Sequence, residues 1–407
     1  MTPSESTLRC DVLVVGAGPA GSACAQMLAR GGSDVLLVDQ HDFPRDKICG
    51  DGLIPDAHRA FARMGVLEEV MSLAQRVRHV GCVGPRGGRI DVAGSLAVLP
   101  RRELDHVLQR AALRAGARWQ VAKFEAPLLR GERVCGATLR IGGQAVEVQA
   151  AWVVLATGAV PQALMAAGLC DRRTPSGIAL RGYVHNPAMV GRITEMDVVW
   201  HRKLKPGYGW IFPCRDGVFN IGVGVAHSHD VQRDGRTAMH DMNLRDVFDA
   251  FCTVYRPAQA LMQGGTLLGD VKGAPLRCSL EGARYSRPGL LATGEAVGST
   301  YAFTGEGIGK AMETGLLAAQ ALLAPDLHDD SRRARYECDL LALKPRFALY
   351  EKANRVNAHP WLADLLIWRA NRSPGIRKRM EGVLEETNNP GNLVTLRGLT
   401  RLFLPIR

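Results

Sequence analysis

Three groups of residues in this 407-residue chain have types and spacings suited to chemistry. Gly16, Gly18 and Gly21 form G-x-G-x-x-G after the apolar run "DVLVV". In such a turn the first glycine permits a tight bend, the second lets the backbone approach a pyrophosphate, and the third lets helix and strand pack closely. Free N–H groups at the start of the following helix then face the anion. Asp39 stands about twenty residues further on, where an acid accepts hydrogen bonds from a ribose. Glycines mark many turns, so the pattern gains its meaning from the strand before it, the helix after it and the acid beyond. Together they predict a dinucleotide site.

The second group is "KICGDG", in which Lys47 and Asp51 flank Cys49. A neighbouring ammonium lowers a thiol's pKa and makes it a proton donor or a redox-sensitive group. The alternative is a small side chain where a glycine-rich loop packs closely, and both stay open. The third is "PGYGWIFP", Pro206 to Pro213, in a chain with 6% aromatic residues. In an extended segment Tyr208, Trp210 and Phe212 share one face. That face either packs on a core or forms a wall for a flat or long apolar ligand. The eleven histidines show no Ser-His-Asp or metal-ligand spacing, and His185 and His201 read as surface or sheet residues.

Positioning these groups requires a particular set of elements. Strand (Asp11 to Val15), glycine turn, helix (Pro19 to Arg30) and strand (Val35 to Asp39) make a βαβ unit. "ELDHVLQRAALRAGA" has helical spacing, "WVVLATG" and "GLLATGEAVG" read as buried strands, and a helix follows from roughly Glu306 to Leu323. Between them, "GIALRGYVHN", "MDVVWHRKL" and "GVFNIGVGV" alternate like a mostly antiparallel sheet. The expected division is a discontinuous nucleotide-binding domain (10–76, 100–170 and 281–325), a sheet domain (77–99 and 171–280), and a helical basic C-terminal region (326–407).

Composition is globular, with 46% hydrophobic and 22% charged residues, and the length calls for two or three subdomains. Disorder is expected only at about the first nine residues. With no apolar run of about 18 residues and no signal-peptide pattern in "MTPSESTLRC", a cytoplasmic protein is expected. The ten cysteines lack any Cys-x-x-Cys, which argues against zinc, iron–sulfur clusters and a disulfide framework. Of the net charge of +11, +8 falls between Ser331 and Arg407. There Trp361, Leu365 and Trp368 share helical spacing ahead of Arg377 to Arg379. Such a helix either lies on an anionic membrane surface or packs on the nucleotide domain with solvated arginines. No nucleic-acid-binding module accompanies the charge.

"FPRDKICGDGL", "PRRELDHVL", "KPGYGWIFP" with "FNIGVGV", and "TGEAVGSTYAFTGEGIGKAMETG" together resemble the geranylgeranyl reductase family, an FAD-dependent branch of the p-hydroxybenzoate hydroxylase fold. The likeness runs from about residue 10 to 325, and "RGYVHN" with "PGYGWIFP" is similar to mycobacterial menaquinone reductases within it. It implies an α/β fold: an FAD-binding Rossmann-like domain with an inserted, mostly antiparallel substrate domain and a helical C-terminal region. It implies FAD against Ala20, Asp39 at the ribose, and Cys49, Gly50 and Gly52 beside the isoalloxazine. Arg102 is expected at phosphate or flavin, Ala122 near adenine, and Glu295, Gly307 and Ile308 at the ribityl chain and ring. The G-E-G turn would aim backbone N–H groups at a flavin carbonyl that gains charge on reduction.

The implied chemistry is hydride delivery from reduced flavin to one carbon of a C=C, with a proton to the other, on a prenylated apolar substrate. NADPH or NADH is the expected reductant. Cys49, Tyr208 and Trp210 are the expected catalytic residues. Tyr208, Trp210 and Phe212 would line a cavity over the ring, joined by Arg181 and Tyr183, although a salt-bridged Arg181 is equally open. Three departures stand out: Glu295 replaces the family's Asp, Ala302 its proline, and Thr157 an aspartate. The rival is a flavin monooxygenase or halogenase, but "YGWIFP" departs from the halogenase W-x-W-x-I-P signature. An electron-transfer flavoprotein lacks support because no clustered cysteines are present.

Overall fold

The computed structural model describes residues 8–226, 242–325 and 328–388. The final basic tail and the extreme N-terminus, for which a basic apolar end and disorder are expected, lie outside the described residues. Two sheets dominate. In the first, Leu8–Val15 lies at the centre, paired in parallel with Val35–Asp39 on one side and Gln144–Leu155 on the other. Arg118–Val121 and Leu290–Ala292 extend it, also in parallel. Val12 to Val15 and Trp152 to Leu155 are buried, because helices cover both faces and leave no side for polar residues. Helix Pro19–Arg30 packs there against helix Ile308–Leu323.

The second sheet has nine strands and is mostly antiparallel. Its middle is Gly177–His185, Val218–Ala226, Gly207–Pro213 and Met196–Val199. Gln75–Val83 joins in parallel beside Met196–Val199, followed by Arg89–Val98 and the short strand Gly52–Leu53. Alternation decides which face each residue serves. Ile211 packs with Phe248, Phe251 and Leu261 of helices Leu244–Val254 and Arg256–Gln263, whereas Trp210 and Phe212 face the other way. The C-terminal helices Asp329–Ala353, Trp361–Ala370 and Pro374–Leu384 bring Ala353, Leu362, Leu366 and Ile367 onto Ile90, Val92 and Trp200. No helix among the described residues is long and apolar enough to cross a membrane.

Candidate active site

The glycine turn leaves little freedom at two of its positions. Gly16 has φ +101°, and a Cβ on it would lie 2.3 Å from the Ala156 carbonyl oxygen; one on Gly21 would lie 1.8 Å from the Gly16 oxygen. Gly18 differs. Its φ is −74°, and a Cβ there would meet only guanidinium nitrogens of Arg45 and Arg101, each 3.8 Å away. The space over Gly18 is therefore open and flanked by two cations, as a pyrophosphate requires. Asp39 closes its strand by accepting from Ala17 N at 3.0 Å and His41 N at 3.1 Å. Arg101 is buried and clamps Asp105 with bonds of 2.6 and 2.9 Å. Arg102, the arginine expected here, is instead exposed on helix Arg101–Arg114 and lines no part of the site. One residue of helical rotation turns it to solvent.

From this turn a cavity of about 580 Å³ runs between the two sheets and the C-terminal helices. Gly16, Gly18, Ala20, Asp39, Ala122 and Glu295 line it, as do Cys49, Gly50, Gly52, Gly307 and Ile308. Tyr208, Trp210 and Phe212 all project into it, so the aromatic stripe is a wall as well as a packing surface. Gly21 lies behind, against Gly16. Thr157 also lines the cavity, and its buried Oγ1 has no hydrogen-bond partner in the protein. Glu295 accepts from Thr300 Oγ1 at 3.3 Å, and Ala302 is partly buried next to the lining residue Phe303.

The loop around Cys49 is pressed onto the aromatic wall. A Cβ on Gly50 would lie 3.3 Å from Phe212, and one on Gly52 the same distance from that ring. Asp51, between them, is wholly buried at φ +64°, a conformation Asp tolerates better than most residues. Its Oδ2 accepts from Tyr183 OH at 2.5 Å and Asn220 Nδ2 at 2.7 Å. Asn220 also donates to the Cys49 carbonyl at 2.8 Å and accepts from Trp210 Nε1 at 2.8 Å. The wall and the loop are thus one hydrogen-bonded unit. Arg181 and Tyr183 serve that unit from behind and do not line the cavity. Arg181 bonds Asp46 at 2.9 Å and the Lys47 carbonyl at 3.1 Å, and it lies over the Tyr183 ring.

Burial dominates the electrostatics at Cys49. Lys47 turns its ammonium to the Ile48 carbonyl, and burial, reinforced by Asp51, holds the thiol above its ordinary pKa despite Arg101. Burial also pushes Asp51 up to about 6, even though Tyr183, Arg181 and Asn220 favour its charged form. Tyr208 is raised by burial as well, and its OH donates to the Thr304 carbonyl at 2.6 Å.

Several lining or supporting residues carry no mark in the sequence that singles them out. Asn220 sits in "FNIGVGV" as one polar residue among apolar neighbours, and its inward position is set by strand register, Phe212 pairing with Asn220. Trp200 lines the cavity, with Nε1 bonded to Asn357 Oδ1 at 2.8 Å, and stacks on Phe303. Beside them Val356, Leu366 and Ile367 extend the lining as an aliphatic surface.

An open glycine turn, paired guanidiniums, a strand-end acid, an unpartnered hydroxyl and an adjoining flat aromatic chamber fit FAD. Comparison with known proteins agrees. A family model described as FAD binding domain matches residues 9–250. The menaquinone reductase of Mycolicibacterium smegmatis is 32% identical over 341 residues, covering 79% of this chain and 78% of that one. Digeranylgeranylglycerophospholipid reductase 1 of Methanopyrus kandleri is 27% identical, covering 79% and 82%. Among solved structures, a geranylgeranyl bacteriochlorophyll reductase-like protein of Thermoplasma acidophilum has a TM-score of 0.72 at 21% identity, covering 98% and 96%. A flavin-dependent brominase has a TM-score of 0.74 at 16% identity, covering 97% of each chain; both structural likenesses concern the fold. The shared sequence, the FAD-binding domain and the cavity geometry together make this chain a member of the geranylgeranyl reductase family of FAD-dependent oxidoreductases.

Proposed function

We propose that the protein saturates carbon–carbon double bonds in the prenyl chain of a lipid or quinone. The observation that carries this is the cavity's lining: a loop and aromatic wall at the Cys49 end, then Val80, Val92, Val356, Leu366 and Ile367. A branched hydrocarbon matches such a surface, whereas a small polar aromatic substrate would leave it unfilled. Bound FAD supplies the hydride equivalent once reduced, and a nicotinamide nucleotide is the proposed reductant. The chain's own residues have separate tasks. Gly18, Arg45, Arg101 and Asp39 hold the dinucleotide; Cys49, Gly50 and Gly52 form its bed; Tyr208, Trp210 and Phe212 confine the reacting segment and exclude water. Mass spectrometry of lipids and quinones from cells with and without the gene tests this. A two-hydrogen mass difference, or a multiple, in one prenylated species is expected. Unchanged prenyl species with a lost hydroxylated or halogenated metabolite would overturn it in favour of a monooxygenase or halogenase.

We further propose that the protein takes its substrate from a membrane surface. Helix Trp361–Ala370 has two faces: Ala363, Leu366 and Ile367 line the cavity, while Trp361 and Trp368 are 60% and 44% exposed. Arg377, Lys378 and Arg379 follow on the next helix. Interfacial tryptophans with nearby cations favour anionic bilayers. Co-sedimentation with phosphatidylglycerol vesicles should fall in the Trp361→Ala/Trp368→Ala double variant; equal binding would refute the docking face.

A further inference from the structure

Saturating a double bond takes a hydride at one carbon and a proton at the other, and the second needs a source inside a mostly apolar cavity. The O–H and S–H groups on its walls belong to Tyr208, Cys49, Cys82 and three threonines, and a threonine hydroxyl is too weak an acid to serve. Tyr208 OH is committed to the Thr304 carbonyl. Asp51 has both carboxyl oxygens occupied, Oδ2 by Tyr183 and Asn220 and Oδ1 by Arg101 N. Burial raises the thiols of Cys49 and Cys82 above their ordinary pKa and makes both weak acids. Glu306 remains. It lines the cavity in the turn Gly305–Gly307, at the start of helix Ile308–Leu323. The turn touches the aromatic wall directly, since a Cβ on Gly305 would lie 2.8 Å from Tyr208 OH.

Further charged groups lie away from the cavity wall. Lys310, 3% exposed, places Nζ 2.8 Å from Glu386, 2.9 Å from Glu313 and 3.7 Å from Asp56. Asp56 is 6% exposed, and its Oδ2 has no hydrogen-bond partner. Glu386 also accepts from Tyr301 OH at 2.8 Å and from Arg59 at 2.9 Å, and the Arg59 side chain is 53% exposed. The cluster, whose Asp56, Lys310 and Glu386 charges act on Glu306, therefore reaches solvent at Arg59. Burial first, then repulsion from Asp56 and Glu386, pushes the Glu306 carboxyl well above the usual carboxylate range and outweighs Lys310. Burial likewise raises Asp56 to about 6. A carboxyl kept neutral in this way is suited to give up a proton during reaction.

We propose, resting on the reductase assignment, that Glu306 donates the proton that completes double-bond saturation, and that Asp56, Lys310 and Glu386 restore it from solvent. The electrons balance. A hydride from the reduced cofactor forms one C–H bond with its own electron pair, and the π pair forms the second C–H bond with the Glu306 proton. The Glu306 O–H bond breaks and leaves its pair on the carboxylate, the cofactor is oxidised by two electrons, and a solvent proton later re-forms the acid.

Two measurements test this. Infrared spectra of the cofactor-free protein at neutral pH should contain a protonated carboxyl band that shifts in D2O and is absent in Glu306→Gln. Its absence from the wild type would overturn the proposal. In anaerobic single turnovers, reduced FAD-loaded protein is mixed with menaquinone, and the saturated product is quantified by mass spectrometry. Glu306→Gln should slow product formation roughly 10²- to 10⁴-fold, Glu306→Asp should recover part of the rate, and FAD affinity should be unchanged. If the wild type forms product and Glu306→Gln matches it, or only Cys49→Ala is slowed, Glu306 is not the donor. If the wild type forms none from any prenylated quinone or lipid, the reductase assignment itself fails, whatever the infrared band shows.

Discussion

Replacing Gly18 by alanine separates the cofactor's need for space from the protein's. In the protein alone the added methyl meets two guanidinium nitrogens at 3.8 Å, an ordinary contact, on a backbone at φ −74°. Folding stability should therefore stay within about 0.5 kcal/mol of wild type or rise slightly. A pyrophosphate lying over Gly18 would collide with the same methyl, and overpacking a tight contact costs about 1–3 kcal/mol. That corresponds to roughly 5- to 150-fold weaker FAD binding. Gly21→Ala is the contrast, because its methyl would sit 1.8 Å from a backbone oxygen and the turn itself must break. The assay is titration of deflavinated protein with FAD, followed by flavin fluorescence, alongside urea denaturation of both variants. Gly18→Ala binding FAD with wild-type affinity, or unfolding as readily as Gly21→Ala, would refute the placement of the pyrophosphate.

Three further outcomes follow from contacts described above. Trp210→Phe leaves the buried Asn220 Oδ1 without its 2.8 Å donor and should lower stability by about 1–3 kcal/mol in urea denaturation; combined with Asn220→Ala the losses should fall short of additive by about 0.5 kcal/mol or more. Tyr208→Phe removes the bond to the Thr304 carbonyl, so amide hydrogen exchange should quicken at Gly305 to Ile308 and remain unchanged in strand Leu8–Val15. Asp56 is raised from 3.8 to about 6 in the folded protein, so the folded state holds its proton more tightly and the stability this confers is lost as pH rises from about 4 to 6. Relative to Asp56→Asn, the wild type should lose on the order of 3 kcal/mol across that window, and a constant difference between the two would exclude a raised Asp56.

Sequence patterns reveal most where a residue's task is local. Gly16, Gly21 and Asp39 act within one βαβ unit, and the alternation of Tyr208, Trp210 and Phe212 is a property of a single strand, so both are legible from residue order alone. Arg102 illustrates the limit: choosing between it and Arg101 depends on the exact phase of helix Arg101–Arg114 against the glycine turn, which spacing does not fix. Cys49 illustrates another, because Lys47 is its neighbour in sequence while burial by distant elements governs its acidity. Asn220, Trp200 and Glu306 gain their significance only through register and through the C-terminal helices, whose packing on Ile90 and Val92 is a contact between remote segments.

The Trp210–Asn220–Asp51 chain has a bearing on how such an enzyme can diversify. A change of ring in the middle of the ceiling is felt at the carboxyl underneath and hence in the bed beside it, so new substrate preferences gained there would carry a penalty in chemistry. Val356, Leu366 and Ile367 are not members of this hydrogen-bonded chain and can vary in bulk without breaking it. On the proposed reading, chain-length preference would be free to drift at the aliphatic end of the chamber while the Cys49 end stays unaltered.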